Sequence, residues 1–106
     1  MIALNELWGG TLCHFEFDVA EHSARLDVET LDAGVSHRFT LAFEGISELQ
    51  FVDNSRSTWD WAELTSVEAE AKADGMSTEV RIAMWRDDTT LTITAAVVRM
   101  NGKPIG

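Results

Sequence analysis

Apolar and polar residues alternate with period two along most of the chain between Thr11 and Met100, the signature of strands buried on one face. Thr11 to Asp18 sets Cys13, Phe15 and Phe17 against His14, Glu16 and Asp18. Beyond Glu21-His22-Ser23 the alternation resumes, with Leu26 and Val28 opposed to Arg25, Asp27 and Glu29, so the two segments predict a hairpin. Asp32-Ala33-Gly34 supplies the next turn, because glycine accepts the positive φ that a tight reversal needs. Ser36 to Phe43 then points Phe39, Leu41 and Phe43 inward. Glu44-Gly45 reads as a further tight turn, and Ile46 to Asp53 follows with Leu49 and Phe51 as core candidates.

The polar run Asp53 to Thr58 predicts a surface loop leading to Trp59 and Trp61. Residues 61–73 admit two readings. Alanine, glutamate and lysine favour a helix, whereas Thr65, Val67, Ala69 and Ala71 alternate strictly with Ser66, Glu68, Glu70 and Lys72. The strand on the far side of Asp74-Gly75, where Val80, Ile82 and Met84 share a face, tips the reading towards strand. A short helix near residues 57–64 is compatible with the composition. Thr90 to Met100 is the strongest strand, with Leu91, Ile93, Ala95 and Val97 facing one way, and its second half is apolar on both faces, as in a central strand. Asn101-Gly102-Lys103-Pro104 ends it. The expected fold is all-β: about seven short antiparallel strands in a meander, forming a sandwich or open barrel.

Length and composition fit one domain over residues 1–106, with 45% apolar and 25% charged residues. A single cysteine excludes an internal disulfide framework and suits a reducing compartment. The N-terminus has no basic start, and no run approaches the roughly eighteen apolar residues of a membrane span. A cytoplasmic protein is expected. The net charge of −10 repels nucleic acid and anionic membranes, so neither is an expected partner.

That charge has a centre. From Glu44 to Glu79 there are nine acids and two bases, and Trp59 and Trp61 lie inside the stretch. Carboxylates beside large aromatics suit capture of a basic partner, because charge steers the encounter and rings anchor it. The candidate partner-binding residues are Asp53, Trp59, Asp60, Trp61, Glu63, Glu68, Glu70 and Trp85. Trp59 and Trp61 equally suit a core position beneath a loop. Trp85 falls out of phase with Val80, Ile82 and Met84, so either a second layer or a partner covers it. Trp8 is expected to pack under the sheet.

Catalytic chemistry finds little footing. His14, Glu16 and Asp18 share a strand face roughly 6–7 Å apart, a spacing that a solvated face explains as well as a metal site. Cys13 is in phase with Phe15 and Phe17, which predicts a buried structural thiol turned away from His14. No catalytic residue, metal or cofactor is assigned, and the protein is read as a non-enzyme.

The segment Arg38-Phe39-Thr40-Leu41-Ala42-Phe43-Glu44-Gly45-Ile46-Ser47-Glu48-Leu49 resembles a recurring segment of small all-β bacterial proteins, among them predicted immunity proteins of polymorphic-toxin systems. There an apolar strand leads to a Phe-x-Gly-[Ile/Val] turn, then to acidic, tryptophan-bearing segments and a closing apolar strand, here Leu91 to Met100. The resemblance implies a protein that binds and neutralises a cognate toxin, and with the acidic charge the expectation is a basic toxin domain whose active site is occluded. It carries over no catalytic residue, and Phe43 and Gly45 transfer as structural positions alone. The alternative expectation is an acidic assembly factor or secretion chaperone for a protein client. Monomer and homodimer both fit the sequence.

Overall fold

The computed structural model describes residues 2–3, 7–54, 62–73, 75–84 and 89–105, with residues 2, 3, 32 and 62 described through their backbone alone. Among these, eight strands form one antiparallel sheet: β1 (Ile2–Ala3), β2 (Thr11–Asp18), β3 (Ser23–Asp32), β4 (Val35–Asp53), β5 (Ala62–Ala71), β6 (Thr78–Met84), β7 (Thr89–Met100) and β8 (Lys103–Pro104). The all-β expectation holds. Residues 62–71 are strand, and Ala62–Leu64 already belong to it, while 57–61 lie outside the described residues.

Meander order holds within each half, as β2–β3–β4 and as β5–β6–β7. The halves join where β4 pairs β7 and where β2 meets β5, so six strands close a ring. The two closures are unequal. β4 and β7 pair from Leu41↔Met100 to Asp53↔Thr89, whereas β2 meets β5 only at Thr11↔Glu63 and Leu12↔Ala62. β7 takes neighbours on both edges, β4 along Thr89–Met100 and β6 along Thr89–Ala95.

Glu44-Gly45 does not reverse the chain. β4 runs through it as one strand of 19 residues, and Gly45 takes a φ of 66°. A left-handed residue inside a strand bends it without ending it. The inward face changes phase at this point: Leu41 and Phe43 are buried before it, Ile46 after it. The partner strand does the same, since Ala95 and Val98 are both buried. The position expected for Val97 in the core therefore belongs to Val98. A bulge between Ile46 and Glu48 completes the corner, by which β4 and β7 pass from one layer of the core to the other.

The core is built from Leu26 and Val28 on β3, Leu41 and Phe43 on β4, Leu64 and Val67 on β5, Val80, Ile82 and Met84 on β6, and Leu91, Ile93 and Val98 on β7. A bulge between Leu64 and Ser66 lets Leu64 and Val67, three residues apart, both face inward. Leu7, fully buried, plugs the entry to β2, while Trp8 is 69% exposed. That reverses the expectation for Trp8. The backbone explains it: Gly10 N–H donates to Leu7 O at 3.0 Å and Gly9 N–H to Leu64 O at 2.9 Å, a tight bend that gives the inward position to Leu7.

Candidate functional site

β2 departs most from the alternating pattern. Beyond Thr11 and Leu12 every residue of the strand is exposed, Phe15 and Phe17 included at 37% and 41%. Their ladder partners on β3 are Leu26 and Ala24, both buried, so the phenylalanines do point to the inner side of the sheet. Among the described residues β5 pairs with β2 at Thr11 and Leu12 alone, and no described strand but β3 runs along residues 13–18.

Cys13 breaks the expected phase. The register slips between Leu12 and His14, and this bulge places Cys13 on the exposed side, its Sγ 3.5 Å from Thr11 O. The thiol is therefore no core residue. On the outer face His14 Nε2 lies 3.6 Å from Glu16 Oε2, both well exposed.

Opposite the inner face of β2 stands the second half of β4. Leu12, Phe15, Leu49, Phe51 and Leu91 line a depression of about 250 Å³. A second one of about 270 Å³ continues from it through the shared Leu49 and is lined by Phe17, Val19, His22, Ile46, Ser47 and Glu48. The hairpin turn after β2 is tied to this wall, since Ile46 N–H donates to His22 O at 2.9 Å. Together they form an apolar seam between β2 and β4. Among the described residues no lysine or arginine lines it. Glu48 is the acid that lines it, while Glu16 and Asp18 border a separate depression with Arg25.

The carboxylates singled out from the sequence fall into two groups. Asp53 closes the β4–β7 ladder opposite Thr89, whose fully buried hydroxyl donates to Asp53 Oδ1 at 2.8 Å. Glu63, at the start of β5, faces Thr11 near the same end of the ring. Glu68 and Glu70 lie five and seven positions further on, roughly 17–24 Å away along an extended strand. They sit on the outer face, opposite Arg81 and Glu79. Trp59, Asp60, Trp61 and Trp85 lie outside the described residues.

Charge on that outer face is partly paired. Glu79 Oε1 accepts from Arg81 Nη2 at 2.7 Å and its Oε2 accepts from Lys72 Nζ at 3.0 Å, and Arg81 also reaches Glu70 at 3.9 Å. The hydrogen bond from Arg81, then that from Lys72, holds the Glu79 carboxyl below the usual carboxylate range. Glu79 in turn raises both Lys72 and Arg81. The acids of the middle stretch are thus partly neutralised, while the seam keeps the exposed Glu48 and exposed aromatics side by side. Strand phasing could not reveal the seam, because Phe15 and Phe17 have the spacing of core residues.

A family model described as YxiG-like protein matches residues 2–105. The chain belongs to the YxiG-like family. No curated protein matches it. Among solved structures, it is similar to an uncharacterized protein from Neisseria gonorrhoeae, with a TM-score of 0.67 and 11% identity over 89% of this chain and 91% of that one. At that identity the likeness extends to the fold alone. Among the described residues no helix is long and apolar enough to cross a membrane. No group of three His, Cys, Asp or Glu among them has the geometry to hold a metal ion.

Proposed function

We propose that this YxiG-like chain is a non-enzymatic binding protein for a basic protein partner, and specifically a cytoplasmic immunity protein that occludes the active site of a cognate toxin domain. One observation carries the reading: Phe15 and Phe17 stay accessible across from Leu49 and Phe51, with Glu48 on the same wall. Exposed aromatics at a concave site supply anchoring area. A carboxylate beside them favours lysines and arginines and speeds the encounter.

In this mechanism the toxin is blocked sterically. Carboxylates from Asp53 and Glu63 at the end of the ring, and from Glu68 and Glu70 on β5, pair with cationic side chains around the toxin site. Trp59, Asp60, Trp61 and Trp85 belong to the same proposed surface by sequence. The test identifies the product of the reading frame immediately upstream and co-expresses it, as the candidate toxin, with this chain. Relief of growth arrest and a stable purified complex are expected. Persistent arrest, with this chain folded and abundant, overturns the immunity reading.

A second reading has its own support. The apolar continuity of the seam also suits an assembly factor or secretion chaperone shielding a client segment. Such a protein would hold its client before folding and release it afterwards, whereas an immunity protein binds the folded toxin. Binding measured against native and unfolded forms of the same partner separates the two.

A further inference from the structure

We infer that the protein forms a symmetric dimer through the edge of β4 at Ser36 and Arg38, each copy adding the other as the next strand of its sheet. The dimer is independent of the immunity reading, since this edge lies ahead of Gly45 on β4 and the seam lies beyond it.

The β3–β4 hairpin reaches past its neighbour β7. That strand pairs β4 no further than Leu41↔Met100. Asn101 closes the ladder, donating its N–H to Thr40 O at 2.9 Å and accepting the Thr40 N–H on Oδ1 at 2.9 Å. Positive φ angles of 54° at Asn101 and 82° at Gly102 then fold the chain back, so that Lys103 pairs Met100 on the other edge of β7. The chain that would stand next in register beside Phe39 to Val35 has therefore turned away. In an antiparallel ladder alternate residues direct their N–H and C=O groups to the same edge. Thr40 directs its groups to Asn101, so Arg38 and Ser36 direct theirs to that edge too, where no described strand receives them. Such an edge accepts a further strand.

Residues 35–39 are complementary to themselves. Laid antiparallel about a twofold axis at His37, Ser36 of each copy exchanges backbone hydrogen bonds with the second copy's Arg38, which uses every open group of the edge. Val35, His37 and Phe39 are in phase with the buried Leu41 and Phe43, on the inner side of the sheet. There Val35, 56% exposed, meets the second copy's Phe39, which already packs against the core. Apolar pairs of this kind stabilise a strand pair. On the outer side Arg38, held 3.3 Å from its own Glu29, faces an uncharged serine. An axis at Arg38 would set two guanidinium groups together and need the Thr40 groups that Asn101 occupies. An axis at Ser36 would set Val35 against His37 and lose the apolar pair. Charge selects this face as well. The chain carries −10 overall, yet residues 33–43 contain no Asp or Glu, so two copies meet there with little repulsion.

Sedimentation velocity over a concentration series is expected to show a reversible dimer. Added salt should tighten it, because screening relieves the repulsion between two anionic chains. Ser36→Pro removes an N–H that points away from β3 and leaves the β3–β4 ladder intact. It should weaken the dimer about thirtyfold, since two hydrogen bonds are lost per dimer. Circular dichroism checks that this variant stays folded. Register is tested in a Cys13→Ser background. His37→Cys sets two thiols across the axis in a non-hydrogen-bonded pair, with Cα atoms about 4.5 Å apart and within disulfide reach. Mild oxidation should cross-link it as a dimer, whereas Ser36→Cys, which pairs with Arg38 and not with itself, should cross-link far more slowly. The cross-link decides alone if Ser36→Pro unfolds. A protein that is monomeric at every concentration overturns the inference, as does a dimer that a folded Ser36→Pro leaves intact or that His37→Cys fails to cross-link.

Discussion

Gly45 on β4 stands against Ala96 on β7 so closely that a Cβ added at Gly45 would lie 3.0 Å from the Ala96 Cβ. This contact is the hinge of the molecule. Before it β4 runs beside β3, and beyond it β4 leaves β3 and forms the far wall of the seam. Gly45→Ala should therefore cost more than a lost turn. A left-handed backbone costs an alanine about 1–2 kcal/mol, and the crowding against Ala96 adds to it. Chemical denaturation should show this loss. The Gly45→Ala/Ala96→Gly pair should recover the crowding part alone. A Gly45→Ala variant as stable as the wild type would contradict the bend.

Thr89 and Asp53 close the β4–β7 ladder with a hydrogen bond from a fully buried hydroxyl to an exposed carboxylate. Thr89→Val keeps the shape and removes the donor. A loss of about 1–2 kcal/mol is expected, as for a hydrogen bond to a charged group whose acceptor can turn to water. Asp53→Asn keeps an acceptor and should lose less. Thermal unfolding of the two variants orders them, and the reverse order would count against this pairing.

Glu79 should give the outer face a pH signature. Its folded pKa is depressed by Arg81 and Lys72. Its contribution is then fully present above the unfolded carboxyl pKa of about 4.3 and is lost as pH falls through the lower folded value. Glu79→Gln should cost about 1 kcal/mol at neutral pH, and the gap to wild type should close in acid. A gap that stays constant across the titration would show that the carboxylate's charge is not what matters.

Cys13 should react with a thiol reagent in the native protein at a rate comparable to that of the unfolded chain, since the bulge holds it outside the core. Strong native-state protection would place it inside after all.

These particulars show which parts of the fold the sequence could reveal. Leu26, Val28, Val80, Ile82 and Met84 alternate without interruption and are buried as alternation predicts. The errors sit where the backbone leaves the ideal strand. The bulge at Cys13 exposes a thiol that counts as inward, and the positive φ at Gly45 bends the strand where a turn was expected. Period two carries no record of such slips, because a single extra residue moves every later side chain to the other face. The candidate site was legible only in its chemistry. Acids and aromatics were visible as residue types, but the accessibility of Phe15 and Phe17 is a tertiary fact that alternation does not record.

The central claim is that partners are captured along β2 and the facing wall of β4. Residue-resolved amide hydrogen exchange, with and without the cognate toxin domain, tests it most directly. The account predicts slowed exchange along residues 13–18, with little change at Glu68 and Glu70. Protection confined to the outer face of β5 and β6, with residues 13–18 unaffected, would contradict it.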